Sequence, residues 1–227
     1  MIPLKDDNPT SSRPIVTYFL IGLCVVVFLM QLGSQSYKTG QLFYSYGLIP
    51  SVLMGHDQLP MDLYAIPAYM TIFSSMFMHG GWMHLIGNMW YMKIFADNIE
   101  DNLGSRNFII FYILCGIGAA MAQVLMDTHS QVPMVGASGA IGGVLGAYLI
   151  NHPNARVLVL IPYIIITIIK IRALYVLGFW FILQFISSGG GIAYAAHIGG
   201  FVSGMILILF FNKKTKRRTK VIKGPWS

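Results

Sequence analysis

Four polar residues in this chain are of types that do chemistry and stand in surroundings where polar groups are costly. Ser138 lies in the turn Gly136-Ala137-Ser138-Gly139, directly ahead of the apolar run 140–150, and His197 lies in a second apolar run, 194–211. A serine hydroxyl is a weak nucleophile until a base takes its proton, and histidine is the side chain best suited to do so near neutral pH. His84 and Asn88 are four residues apart in a third apolar stretch, so on a helix they share one face. Side-chain N–H groups aimed at one point, together with the backbone N–H of Ser138 at a helix N-terminus, are what the oxyanion of an acyl-transfer reaction requires. The chemistry within reach is attack on a carbonyl carbon.

The surroundings follow from composition. Of the 227 residues, 56% are hydrophobic and 10% charged, with a mean hydropathy of +0.65, against about 25% charged in soluble domains. Spanning about 30 Å of hydrocarbon takes about 20 apolar residues as a helix. Segments 15–32, 82–95 with its upstream 72–78, 108–126, 173–186 and 194–211 read as spans, and 138–150 as a short one. The segment 157–169 is also apolar. With six spans and an inner N-terminus, Lys5, Arg13, Lys93, Arg106, Arg156, Lys170, Arg172 and the seven bases of the tail fall on the cytoplasmic side, leaving only Lys38 outside. A seventh span would export the whole tail, so 157–169, broken by Pro162, reads as a cytoplasmic-side interfacial or re-entrant connector.

The expected fold is therefore an all-α membrane bundle of six transmembrane helices with a short fourth helix. Its parts are a cytoplasmic segment 1–14, a helical domain 15–212 and a basic cytoplasmic tail 213–227. Segment 15–32 carries no small-residue cleavage site after it and reads as a retained first span. The long outer segment 33–70, rich in Tyr, reads as an interfacial loop. The net charge of +7 is concentrated in the tail, which fits a positive-inside signal that attracts anionic lipid better than it fits nucleic acid. Cys24 and Cys115 fall inside spans and read as core residues.

Six-span parity puts His84, Asn88, Ser138 and His197 at one depth near the outer surface. Helical phase brings them closer. Ser138, Gly142 and Gly146 line one face of span four with Gly139 and Gly143 beside it, and His197, Gly200 and Gly204 line one face of span six. Small stripes of this kind let helix backbones approach closely. If they face each other, Ser138 and His197 meet at one end of the contact. From 138 to 150 a helix rises only about 18 Å, so the non-helical stretch 132–137 must descend into the membrane, which is tolerated only against protein or a water-filled cavity. The acidic residues fall at the inner end of span two or in outer loops, so none is available as a third member. A Ser-His dyad is implied, with no metal and no cofactor.

Four stretches in this order carry a family resemblance: His79-Gly-Gly-Trp-Met-His84-Leu-Ile-Gly-Asn88, Glu100-Asp-Asn-Leu-Gly104, Gly136-Ala-Ser138-Gly, and Ala196-His197-Ile-Gly-Gly200-Phe-Val-Ser-Gly204. In them the chain resembles the rhomboid intramembrane serine proteases over its whole membrane portion. The resemblance implies a serine endopeptidase acting on transmembrane protein substrates, with Ser138 as nucleophile, His197 as base, and His84 and Asn88 as oxyanion donors. It also implies lateral substrate access near spans two and five, and structural roles for His79, Glu100, Gly104 and the glycines 136, 139, 200 and 204. Two departures stand out. Gly142 occupies a position that is often aromatic in relatives and there stacks on the histidine, so another group must hold the His197 ring. The outer loop lacks the Arg that many relatives carry, so its anchoring must differ. The rival readings are an inactive rhomboid-like protein that binds membrane clients and a transporter or proton relay. Against the relay stand the lack of an intramembrane carboxylate and of paired interrupted helices. The reading places the protein in a bacterial inner membrane with both termini cytoplasmic.

Overall fold

The computed structural model describes residues 1–34, 36–162, 166–186 and 193–211. Its frame is a helical bundle, as the apolar runs require. Helix α1 (Ile15–Gly33) starts after Pro14 and ends where the Ser34 hydroxyl donates to the Gln31 carbonyl at 2.5 Å. The segment between α1 and α5 holds α2 (Ser36–Tyr46), α3 (Pro50–Leu53) and α4 (Thr71–Ser74). Then come α5 (Trp82–Leu103), α6 (Ser105–Met126), α7 (Ser138–Asn151), α8 (Ala173–Ile186) and α9 (Tyr194–Phe211). Among the described residues α1, α6 and α9 are each long and apolar enough to cross a membrane by length and composition. The chain is an integral, multi-pass membrane protein.

α7 is the centre of the bundle. Every residue from Gly139 to Tyr148 is buried, which explains why a helix of 14 residues is so rich in Gly and Ala: neighbours press on it from all sides. The closest is α9. A Cβ on Gly200 would lie 1.9 Å from the Gly139 carbonyl oxygen, and one on Gly204 1.9 Å from that of Gly143. The two glycine stripes thus face each other, and no side chain larger than hydrogen fits between the backbones.

α5 and α6 meet at Gly104, where φ is +75°. That left-handed conformation is open to glycine at little cost and strained for other residues. Beside this joint the buried Glu100 carboxylate accepts hydrogen bonds from the Val16 and Thr17 amides at 3.0 and 2.8 Å, and from the hydroxyls of Thr17 and Ser105. Glu100 therefore caps α1 from α5, placing an anion where that helix exposes its amides.

The connector between α7 and α8 adds strands to the expected all-α bundle. Arg156–Pro162 and Ile166–Arg172 form strands β2 and β3, and the N-terminal segment contributes β1 (Ile2–Asp6), in an antiparallel sheet of order β1-β2-β3. The connector pairs with itself and with the N-terminal segment as strands, a secondary structure that the sequence reading does not assign to it. Val157 and Val159 are buried on the bundle side, and the edge position of β1 satisfies backbone groups that would otherwise stay unpaired. The sheet packs at the end of the bundle remote from Ser138. There Trp90 Nε1 donates to the Pro3 carbonyl at 2.6 Å, and Tyr148 Oη and Asn98 Nδ2 donate to Asp6 at 2.5 and 2.9 Å. The tail bases from Lys213 onward and the Ser187-Ser-Gly-Gly-Gly191 stretch lie outside the described residues.

Candidate active site

Ser138 is the first residue of α7, and the chain reaches it through Gly136, whose φ is +127°. A Cβ at Gly136 would be strained at that φ and would also stand 2.6 Å from His84 Nε2. Glycine is therefore required twice over, once by the backbone and once by the imidazole. The Gly136 amide donates to the Ser75 carbonyl at 2.8 Å, which seats the turn against the stretch upstream of α5.

The same turn is tied to the loop between α1 and α5. Leu48 and Met134 exchange both backbone hydrogen bonds, at 3.0 and 2.7 Å, and the Ser51 amide donates to the Ser130 carbonyl at 3.0 Å. Gln131 Nε2 reaches Asp57 at 2.8 Å, and the His56 and His129 rings stack at 4.1 Å. A backbone bridge anchors the loop to the segment 130–134, so the described loop has an anchor without an Arg.

The glycine seam brings Ser138 and His197 together: His197 Nε2 lies 2.8 Å from Ser138 Oγ, a hydrogen-bond distance. Both residues are partly buried, and both line a cavity of about 920 Å³ together with His84, Asn88, Gly136 and Trp180. The four polar residues that share a depth in the sequence thus share one cavity.

His84 and Asn88 lie on α5 facing that space. The Gly80 amide donates to His84 Nδ1 at 3.3 Å, so the neutral ring carries its proton on Nε2, the nitrogen turned toward Gly136. Asn88 Nδ2 is buried and has no hydrogen-bond partner among the described residues. Both are N–H donors available to an acceptor placed beside Ser138. His79 stays apart from the chemistry. It is fully buried, its amide donates to Gln31 Oε1 and its carbonyl accepts from Gln31 Nε2, each at 3.1 Å, and its ring meets that of His84 edge to face at 5.2 Å. It joins α1 to the start of α5 and backs the His84 ring.

Two residues of α8 complete the surroundings of His197, and neither was singled out by its type. Gln184 Oε1 lies 2.8 Å from His197 Nδ1, and the Trp180 ring lies 5.8 Å from the imidazole at an interplanar angle of 34°. Trp180 also sits over Gly142: a Cβ there would be 3.7 Å from the indole and 3.0 Å from the His197 carbonyl. The aromatic group missing at position 142 is thus supplied by the neighbouring helix. A signal for Gln184 existed, since it is the one amide side chain of α8 in an otherwise apolar helix. Among the described residues no three His, Cys, Asp or Glu side chains converge as metal ligands.

Comparison with known proteins decides the lineage of this arrangement. The profile of the Rhomboid domain matches residues 67–214, a stretch that holds all four cavity residues and the glycine seam. The chain belongs to the rhomboid family. It is 29% identical over 197 residues to the rhomboid protease GluP of Bacillus subtilis, a match covering 86% of this chain and 34% of that one. To the putative rhomboid protease YdcA of the same organism it is 31% identical over 147 residues, covering 62% and 66%. To RHOMBOID-like protein 5 of Arabidopsis thaliana it is 33% identical over 78 residues, covering 34% and 25%. The chain thus spans about a quarter to a third of the length of two of these relatives.

Proposed function

We propose that this rhomboid is an intramembrane serine endopeptidase that cleaves transmembrane protein substrates with Ser138 and His197. The observation that carries the reading is the 2.8 Å contact between Ser138 Oγ and His197 Nε2 at the wall of a cavity. Ser138 Oγ attacks the scissile carbonyl carbon while His197 Nε2 takes its proton. The negative charge that develops on the carbonyl oxygen is met by His84 Nε2–H, Asn88 Nδ2–H and the backbone N–H of Ser138. His197 then gives its proton to the leaving amine, and the C–N bond breaks. Water enters, loses a proton to His197 and attacks the acyl carbon. The ester bond breaks, and Ser138 recovers the proton.

The cavity lies at the N-terminal end of α7 and of α9, which the charge distribution makes the outer end. The scissile bond should therefore fall in or near the outer part of a substrate's transmembrane segment. A lipid-embedded helix has its backbone groups paired internally and resists opening, so substrates with Gly, Pro or polar residues near that end fit best. In this reading 15–212 is the protease domain, 1–14 and 213–227 are cytoplasmic, and the basic tail meets anionic lipid. The relative matching most of this chain among those named is bacterial, which supports a bacterial inner membrane. A reporter fused after Lys220 should be cytoplasmic and one inserted at Gly189 should be outside.

Labelling of the detergent-solubilised protein with a fluorophosphonate tests the reading. The label should map to Ser138 and vanish in Ser138→Ala and His197→Ala. A folded wild-type protein that takes no label would instead be an inactive rhomboid-like binder of membrane clients.

A further inference from the structure

His197 is held at its far nitrogen and over its face by one helix, α8. The geometry determines which protons are where. Gln184 Nε2 lies 2.7 Å from the Trp180 carbonyl oxygen, a group that can only accept, so the amide nitrogen belongs on that side. The amide oxygen is consequently the atom 2.8 Å from His197 Nδ1. An amide oxygen can only accept as well, so Nδ1 carries the proton. A neutral imidazole has a single N–H, and its other nitrogen, Nε2, therefore presents a lone pair to Ser138 Oγ at 2.8 Å. The chain of partners Trp180 carbonyl, Gln184, His197, Ser138 has one consistent assignment, and in it the ring is a base toward the serine.

We propose that Gln184 is a positioning residue of the site, fixing the tautomer and the ring plane of His197 in the place where a carboxylate serves in Ser-His-Asp enzymes. This inference rests on the reading of Ser138 as nucleophile. It makes the site a Ser-His-Gln relay in which the third member orients the base but, being neutral, adds no charge to stabilise the imidazolium. Trp180 acts with it. The indole bounds the ring face while its own carbonyl fixes the amide, so two residues one helical turn apart set both the plane and the proton of His197. Gln184 is buried, which keeps water from competing for Nδ1.

The other groups around His197 would not reproduce this. Ser138 faces it from α7, the His84 imidazole lies across the cavity on α5, and Tyr194 stands edge-on at 6.3 Å in α9 itself. From α6, Gln123 Oε1 accepts from the Ala196 amide at 3.3 Å. None of these is a carboxylate, and none accepts from Nδ1.

The test is the rate of fluorophosphonate labelling of Ser138 from about pH 5 to about pH 9, a range that brackets histidine titration, in the wild type, Gln184→Leu and Gln184→Glu. Gln184→Leu should label at least about 10-fold more slowly at every pH, up to the about 10²–10⁴-fold that a general base contributes. Gln184→Glu sets a carboxylate against Nδ1 and should label with its acid limb displaced upward by about one pH unit or more, because a neighbouring opposite charge favours the imidazolium. A residue that merely packs α8 against α9 would not move that limb. Wild-type rates in Gln184→Leu, or coincident pH profiles in Gln184→Glu and the wild type, overturn the proposal. Thermal unfolding shows whether Gln184→Leu is folded, and if it is not, the Gln184→Glu profile decides. Absence of label at Ser138 in the wild type would remove the serine reading itself, a different failure.

Discussion

α9 meets α7 and α8, two of the helices packed on it, in opposite ways. Against α7 the contact is backbone on backbone, with Gly200 and Gly204 set against the carbonyls of Gly139 and Gly143. Against α8 it is made by large side chains: Phe181 stacks on Phe201 at 4.5 Å, Trp180 covers Phe201 and His197, and Gln184 holds the imidazole. The first contact places the Cα of His197 and the second aims its ring. Position and aim of one side chain therefore come from different helices, with different tolerance to change. A backbone seam has no rotamers to yield, whereas a side-chain contact can be truncated and still leave the helices in register.

The contrast can be broken most severely at the seam. Gly200→Val places branched carbons where even a Cβ would be 1.9 Å from a carbonyl oxygen, and the helices must separate. The expected outcome is loss of the folded bundle, seen as loss of cooperative thermal unfolding in detergent together with loss of labelling. Survival of both would show that the seam does not place His197. Substitutions on α5 calibrate the scale: His84→Ala and Asn88→Ala should each keep the fold and lower the turnover of a membrane-spanning reporter by about 10²–10³, the usual cost of one oxyanion donor. Trp180→Ala removes a face of the ring but leaves Gln184 and the seam. It should unfold near the wild-type temperature and lose activity by up to about 10², the scale of a small misplacement. A defect as complete as that of Gly200→Val would erase the distinction between placing and aiming.

The smallest effect is expected at the far end of the bundle, in β1. Burial beneath the sheet raises the carboxyl of Asp6 above its ordinary 3.8, against the hydrogen bond from Tyr148 that lowers it. Because its folded value lies above its unfolded one, its contribution to stability is fully present below the unfolded value and declines as pH rises through the folded one. Asp6→Asn abolishes that decline. The difference in unfolding temperature between variant and wild type should therefore grow in favour of the variant from about pH 4 to pH 7, with reporter cleavage unchanged. A difference that is flat with pH contradicts the assignment.

Much of the site can be read from residue type alone. Ser138, His197, His84 and Asn88 are legible because a polar group in an apolar run is expensive and so stands out, and because spans alternate in direction, which brings residues near the starts of spans two, four and six to one depth. The glycine stripes are legible because helical phase is fixed by the backbone whatever the neighbours do. Glu100 and Gly104 enter by family resemblance, and their roles as cap and joint become visible only with the start of α1 beside them.

The rest depended on partners distant in sequence. Segments 156–162 and 166–172 are apolar and β-branched, which suits a strand as well as other conformations, and their pairing with each other and, for the first, with residues 2–6 makes them strands. The loop anchor joins Leu48 to Met134, and no local pattern marks either residue. Gln184 and Trp180 lie 13 and 17 positions from His197, on a different helix, and the helical phase of one segment cannot say which face of another it meets. Residue type and periodicity thus determine which groups face inward and at what depth, because those follow from the solvent and the helix repeat. Which inward groups touch, and hence which nitrogen of His197 faces Ser138, is decided only when the helices pack, because a hydrogen bond depends on tenths of an ångström that no repeat encodes.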